Sequence, residues 1–397
     1  MLDLIASWGQ FVGPQHTVKE VLDPYWPTLI VAVAAALIAT PIAREIAFKL
    51  RILDLPDASV KTHPSPTAYL GGLAVLAGFL VAVYVGAHLI VNETGSRASL
   101  RVIYLICGGA VVAAVIGLID DVRDIKPWQK LIGQGVCSLF LVLAGAQPQL
   151  KSSFDMLGIA LPPLVFPGLE YLIVLFFVLG ATNSLNLLDG LDGLCAGVTS
   201  IITIGFLVLT IHLATWGSGH MLDPVRIVLG LALVGSVFGF LMFNRHPAVI
   251  FLGDSGSIFL GYIIAAMMML FATKSPRWWL ASIVIFGLPI LDTATALIRR
   301  FLNKRPLFVS DRGHIYDQMI DRGISLQTTV NINYLLAGLY VLLGCAGAVL
   351  LRARYALILY IVVAIVSFLV VWRKGYFKMA GLRGAIRAGG DHGDGDA

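Results

Sequence analysis

Charge is scarce in this chain. Of its 397 residues only 13% are Asp, Glu, Lys or Arg and 58% are hydrophobic, whereas a soluble domain carries about 25% charged residues. Polar groups cannot cover a compact core at that level, which excludes a soluble globular protein. Cysteine is equally sparse. Cys107, Cys137, Cys195 and Cys345 lie in or beside apolar runs, and their spacing fits no thiolate metal site, so they read as buried thiols. The opening "MLDLIASWGQFVGPQHTVKEVLDPYW" lacks a basic segment followed by an apolar one. It reads as an interfacial lead-in over residues 1–26, not as a cleaved signal peptide. No internal repeat is visible.

What the chain has instead is a series of apolar runs. A helix needs about 20 residues to cross a hydrocarbon core of roughly 30 Å. Runs of that order fall at 27–46, 68–90, 101–119, 131–147, 164–182, 194–214, 225–243, 256–273, 278–298, 329–350 and 355–372. The fold class is therefore all-α, a polytopic transmembrane bundle of about eleven spans over 27–372. Residues 373–397 follow as a basic, then Gly- and Asp-rich, tail. The fourth run contains Gly133, Gln134 and Gly135, which predicts that it faces other helices and not lipid.

Eleven spans make the connections alternate between two sides. Nineteen of the 28 Lys and Arg residues then fall on the side that follows the odd-numbered spans, which places that side in the cytoplasm by the positive-inside rule. The net charge of +5 reflects this topology and gives no case for nucleic acid. The same side carries every patterned polar segment: "DLPDASVKTHPSPTAYLGG", "DDVRDIKPWQK", "NSLNLLDGLDGL", "NRHPAVIFLGDSGS" and "RRFLNKRPLFVSDRGHIYDQMIDRG". Five such loops on one face of a bundle describe an active site at the inner membrane surface.

The carboxylates define its chemistry. Asp120 with Asp124, Asn183 with Asn186, and Asp189 with Asp192 are spaced to share helix faces if helix continues through them. Asp254 stands between Gly253 and Gly256, where backbone comes close to a ligand and amides can face an anion. So many carboxylates near apolar surroundings repel one another and lose hydration, and a divalent cation removes both costs. Mg²⁺, a hard ion that takes carboxylates together with substrate phosphates, suits them, with Mn²⁺ as a substitute. Each loop alone has a plainer reading: a solvated helix end at Asp120 and Asp121, a helix cap at Asp254 or Ser255, a polar turn at "NLLDGLDG". Asp292 is ionisable inside an apolar run, which marks function, while Arg299 two turns on equally suits a structural ion pair.

These motifs, in this order, resemble the polyprenyl-phosphate N-acetylhexosamine-1-phosphate transferases, in particular the WecA/TagO-like branch, related to MraY. The resemblance runs from about Asp54 to Gly323. It rests on Asp54, Pro56, Lys61 and His63 leading to Gly71 and Gly72, and on "GLIDD" followed by Lys130 and Gln134. It continues through "NSLNLLDGLDGL", "FNRHPAVIFLGDSGS", "PILDT" and "DRGHI". It implies transfer of a sugar 1-phosphate from a UDP-N-acetylhexosamine to undecaprenyl or another polyprenyl phosphate, with UMP released and Mg²⁺ required. Asp254 then matches a metal ligand, and Asp120 and Asp121 match an acidic pair holding metal or the attacking phosphate. Asp189 and Asp192 line the same pocket. Phe251 would lie beside uracil and Lys61, Lys130 and His314 beside phosphates. His63, Asn183, Asn186, Asn244, Arg312 and Tyr316 fall on the family's substrate-binding motifs. The resemblance also allows a homodimer.

The chain departs from that pattern in places. Val60 replaces an arginine, Ala68 and Tyr69 replace a Pro-Arg pair, and Tyr316 and Asp317 replace two histidines usual in the GlcNAc branch, so the resemblance fixes the reaction class more closely than the sugar. The histidine triplet of the branch that uses UDP-MurNAc-pentapeptide is missing. UDP-GlcNAc remains the first expectation, with another UDP-N-acetylhexosamine close behind. Tyr316 is expected to face the sugar, with Asp317 turned away from the phosphates. An ion-coupled transporter also places carboxylates in membranes, but it usually has related halves and a site near the midplane, unlike this one-sided clustering.

Overall fold

The computed structural model describes residues 14–54, 66–95, 97–123, 125–151, 154, 162–216, 222–305 and 313–378. A short helix, α1 (Val18–Leu22), is capped reciprocally by Thr17 and Glu20. The apolar runs follow as α2 (Trp26–Leu50), α3 (Gly71–Thr94), α4 (Ala98–Arg123), α5 (Pro127–Leu143), α6 (Val165–Leu188), α7 (Leu194–Trp216), α8 (Asp223–Asn244) and α9 (Gly253–Ala272). Then come α10 (Pro276–Ile285), α11 (Gly287–Leu302), the short α12 (Ile315–Asp321), α13 (Leu326–Leu350) and α14 (Ala353–Arg373). Among the described residues nine of these are long and apolar enough to cross a membrane, or ten if α10 and α11 count as one bent span. The protein is thus an all-α, multi-pass membrane protein.

Two of the expected spans differ in form. The ninth is not straight: α10 and α11 meet at 67°. Gly287 and Pro289 follow the break, and a proline in a helix's first turn costs no hydrogen bond, because the missing N–H would have had no partner there. The fourth is α5, of only 17 residues. It faces other helices along one stripe, Gln134, Cys137, Ser138 and Leu141. Leu131, Ile132, Val136, Leu139 and Leu143 are exposed, so the expectation that this segment avoids lipid holds for one face only. The small residues serve that face, where a Cβ on Gly133 would meet the Ile116 side chain at 2.5 Å.

The bundle is built around α9, whose membrane window is wholly buried and which packs against α3, α4 and α6. Its first turn is reached by two other helices because both present glycine. A Cβ on Gly72 would lie 2.1 Å from Gly256 N, and one on Gly117 would lie 2.3 Å from Asp254 O. At its other end, fully buried Arg226 donates to Leu270 O and pairs with Asp223. The ends of α2, α4, α6, α8 and α11 and the starts of α3, α5, α7, α9 and α13 therefore share one end of the bundle. A two-stranded sheet lies there, β1 (Leu53–Asp54) antiparallel to β2 (Thr67–Ala68), and Ala68 bridges on to Ile250.

Candidate active site

The polar loops converge on the first turn of α9. Gly253, the first residue of α9, takes a left-handed φ of 72°, which turns the chain into the helix just before Asp254. A helix start has free N–H groups. Here the Asp121 carboxylate accepts from Asp254 N at 2.7 Å and Ser255 N at 3.0 Å. The anion expected at these amides is thus supplied by the chain itself. Asp121 is expected as a metal ligand; in the structure each of its oxygens accepts from a backbone amide and so holds the α9 turn in place.

Asp254 faces its neighbours with both oxygens. Asn186 Nδ2 donates to Oδ1 at 2.7 Å and to Ser257 Oγ at 3.0 Å, and Lys130 Nζ lies 2.7 Å from Oδ2. The same ammonium pairs with Asp120, whose other oxygen accepts from Ile125 N at 3.0 Å. Lys130 therefore bridges two carboxylates contributed by α4 and α9. Asn183, one turn before Asn186, donates to Gln134 Oε1 and Leu179 O.

Helix α6 stops at Leu188, so Asp189 and Asp192 do not share a helix face; they lie in the turn that leads to α7. Burial first, then the negative charges of Asp254, Asp121 and Asp192, push the Asp189 carboxyl well above the usual carboxylate range. Asp192 accepts from His246 Nδ1 at 2.8 Å and Ala248 N at 3.1 Å. Asn244 is buried, with Oδ1 accepting from Gly193 N and Nδ2 donating to Ile250 O. Its amide ties two loops together, a different use from the substrate contact expected of it.

Beside these groups lies a cavity of about 550 Å³ lined by Arg51, Asp54, Tyr69, Asp120, Asp121 and Asp254 with apolar Leu50, Ile52, Leu53 and Val122. Sequence reasoning does not select Arg51, because nothing in "LRILD" marks it as more than one basic residue among many. Tyr69, where the family carries arginine, is on this wall. Burial first, then Asp254, Asp121, Asp189 and Asp54, raise its phenol pKa, so its hydroxyl stays protonated. Its ring meets Phe251 edge-on at 6.3 Å.

A second cluster sits across the 187–190 turn. His314 Nδ1 is 2.7 Å from Asp292 Oδ2, and Ile315 N donates to Asp292 Oδ1 at 2.7 Å. Asp292 thus partners His314. Tyr316 stacks on His314 at 5.6 Å and donates to Leu187 O at 2.8 Å. It is 4% exposed. A tyrosine so buried, with its hydroxyl engaged, braces the turn instead of facing a sugar, contrary to expectation. Asp317 is also buried. Lys61, His63, Asp124 and Arg312 lie outside the described residues.

Among the described residues no group of three His, Cys, Asp or Glu side chains is arranged to hold a metal ion. The donor chemistry nevertheless fits a hard divalent cation. Asp120 and Asp254 are oxygen donors already drawn onto one cation, Lys130, and the carboxylates of Asp120, Asp121, Asp189 and Asp254 outnumber it.

Comparison with known proteins places the chain among named relatives. The "Glycosyl transferase family 4" model matches residues 102–272, which contain Asp120, Lys130, Asn186 and Asp254. A "Probable undecaprenyl-phosphate N-acetylglucosaminyl 1-phosphate transferase" of Bacillus subtilis (strain 168) is 32% identical over 342 residues, 86% of this chain and 88% of the relative. The chain belongs to glycosyl transferase family 4. Other relatives are a "Decaprenyl-phosphate N-acetylglucosaminephosphotransferase" of Mycobacterium leprae (strain TN), 30% identical over 82% of this chain and 84% of its own, and a "Phospho-N-acetylmuramoyl-pentapeptide-transferase" of Shouchella clausii (strain KSM-K16), 32% identical over 73% and 87%.

Proposed function

We propose that this enzyme transfers an N-acetylhexosamine 1-phosphate, GlcNAc 1-phosphate first among them, from its UDP-sugar to undecaprenyl or another polyprenyl phosphate. UMP leaves, and the product starts a lipid-linked cell-envelope glycan. The observation that carries this is Asp254 at the first turn of the buried helix α9, held by Asn186 and Lys130 opposite Asp120. It opens on a cavity at the bundle end where apolar helices stop. A lipid-borne phosphate and a water-soluble nucleotide can meet only at such a boundary. The excess of basic residues at that end supports its lying on the cytoplasmic face, in the plasma membrane on this reading.

In the reaction an oxygen of the lipid phosphate attacks the sugar-bearing phosphorus, and the bond from that phosphorus to the UMP oxygen breaks. A phosphate monoester has a second pKa near 6, so the attacker is largely dianionic and needs no strong base. That agrees with Asp120, whose oxygens are already taken by Lys130 and Ile125 N–H. The role assigned to Lys130 is to offset the negative charge gathered as two anions approach. Asp121 fixes the turn bearing Asp254, and Asn186 orients its carboxylate. Asp254, with Asp120, would hold Mg²⁺, which supplies charge stabilisation for the phosphates. His314, oriented by Asp292, serves the sugar diphosphate. Incubating the purified chain with Mg²⁺, undecaprenyl phosphate and UDP-GlcNAc, UDP-GalNAc or UDP-MurNAc-pentapeptide, and weighing the lipid products by mass spectrometry, tests reaction and sugar together. The mass of the solubilised particle tests for the homodimer.

A further inference from the structure

The last membrane helix ends in a built turn. Gly375 has a φ of 73°, its N–H bonds to Trp372 O, and Tyr376 N–H reaches back to Val371 O at 3.2 Å. This is a Schellman stop with glycine at its left-handed position. The turn lies against the His314 segment. Ile315, Met319 and Val371 are buried together, with Leu291, Tyr376 and Phe377 packed on them. Asn303, at the end of α11, donates to Phe377 O at 3.1 Å.

Gln318 joins the two. It is 1% exposed, and its Nε2 donates to Gly313 O at 3.0 Å and to Tyr376 O at 2.9 Å. Its Oε1 accepts from Arg322 at 3.3 Å. Arg322 in turn donates to Lys374 O at 3.0 Å and lies 4.3 Å over the Tyr376 ring.

Gly313 O belongs to the peptide plane that precedes His314, and planarity makes a fixed carbonyl a fixed entry direction for the next residue. The plane that follows His314 is held by Ile315 N–H on Asp292, and the ring by Asp292 and Tyr316. With both flanking planes and the Nδ1 edge pinned, the ring can present only its Nε2 edge in one direction. We propose that Gln318 is a positioning residue for His314, and that the turn Lys374–Phe377 is the anchor it works against. The inference rests on reading His314 as a contact to the sugar diphosphate.

The test is a double-mutant cycle in the full chain, with kcat and KM for UDP-GlcNAc and undecaprenyl phosphate and the thermal midpoint of each variant. Gln318→Met should lower kcat by about tenfold or more, the scale of a slightly misplaced group, with little change in KM. In the double variant with His314→Ala it should cause no loss beyond that of His314→Ala alone. Wild-type kcat in Gln318→Met, or a loss that multiplies onto His314→Ala, would overturn the positioning role and leave the reaction intact. Full activity in His314→Ala would instead overturn the reading of His314 on which the proposal stands. If Gln318→Met does not accumulate, Gln318→Glu gives the same cycle with one donor exchanged for an acceptor.

Discussion

Removing the Lys130 charge should separate metal binding from catalysis. Its ammonium bridges Asp120 and Asp254, whose carboxylates are only 7% and 25% exposed. A unit-charge pair near 4 Å is worth about 4 kcal/mol at an effective dielectric near 20, and stripping one partner from a buried pair costs about 3–5 kcal/mol. Lys130→Met keeps much of the side-chain volume and leaves two facing carboxylates with no cation. The metal-free variant should therefore unfold at a lower temperature than the wild type. Mg²⁺ added to it no longer competes with an ammonium for the same oxygens. A coupling of 1–3 kcal/mol corresponds to about 5–150-fold in affinity, so Mg²⁺ should bind the variant about tenfold more tightly and stabilise it more at equal concentration. Catalysis should fall at least about 100-fold, because the charge that offsets the approaching phosphates is gone. Titration calorimetry and Mg²⁺-dependent thermal unfolding of the detergent-solubilised protein read the first effect, and turnover reads the second. Unchanged or weaker Mg²⁺ binding in Lys130→Met would refute the idea that lysine and metal share Asp120 and Asp254.

Asp254→Asn should reduce turnover at least about 100-fold and weaken Mg²⁺ binding, since an amide keeps the shape but loses the charge a hard cation needs; calorimetry on the folded variant checks it. Asp121→Ala removes both acceptors at the start of α9 and should cost about 0.5–2 kcal/mol, the range for a lost helix cap, seen as a lowered thermal midpoint, with a larger loss of kcat as Asp254 shifts. Asp189 has its pKa raised by burial and neighbouring carboxylates. Its contribution to stability is fully present below the ordinary carboxylate pKa and is lost as pH rises through the raised value. In metal-free protein this one group's share of stability should fall as pH rises above the ordinary carboxylate range, and Asp189→Asn should remove that share, read as a change from the wild-type slope in unfolding measured across pH.

Much of the architecture was legible because membrane spans are written in one dimension, as apolar length. The runs at 256–273 and 225–243 became α9 and α8 almost residue for residue. The meeting of Asp120, Lys130 and Asp254 was legible from sidedness and motif order. What was hidden depends on contacts distant in sequence. Asp121 caps a helix that begins more than a hundred residues later, and no local pattern says which of two adjacent aspartates turns inward. Tyr316 reads as a polar ring in a substrate loop until its hydroxyl is found on Leu187 O. Asn244 has the same history with Gly193 and Ile250. The bend before α11 had a local signal in "FGLP", but hydropathy alone runs through it.

The central claim is that the bond broken lies between the sugar-bearing phosphorus and UMP, at a site organised by Asp254. Purified wild-type protein and Asp254→Asn, each given UDP-GlcNAc, undecaprenyl phosphate and Mg²⁺, should be compared by mass spectrometry of both the lipid and the nucleotide released. The account predicts undecaprenyl-diphospho-GlcNAc and UMP in equal amounts from the wild type, and both formed at least about 100-fold more slowly by the variant. Release of UDP with a lipid carrying a single phosphate, or equal product from the variant, would contradict it.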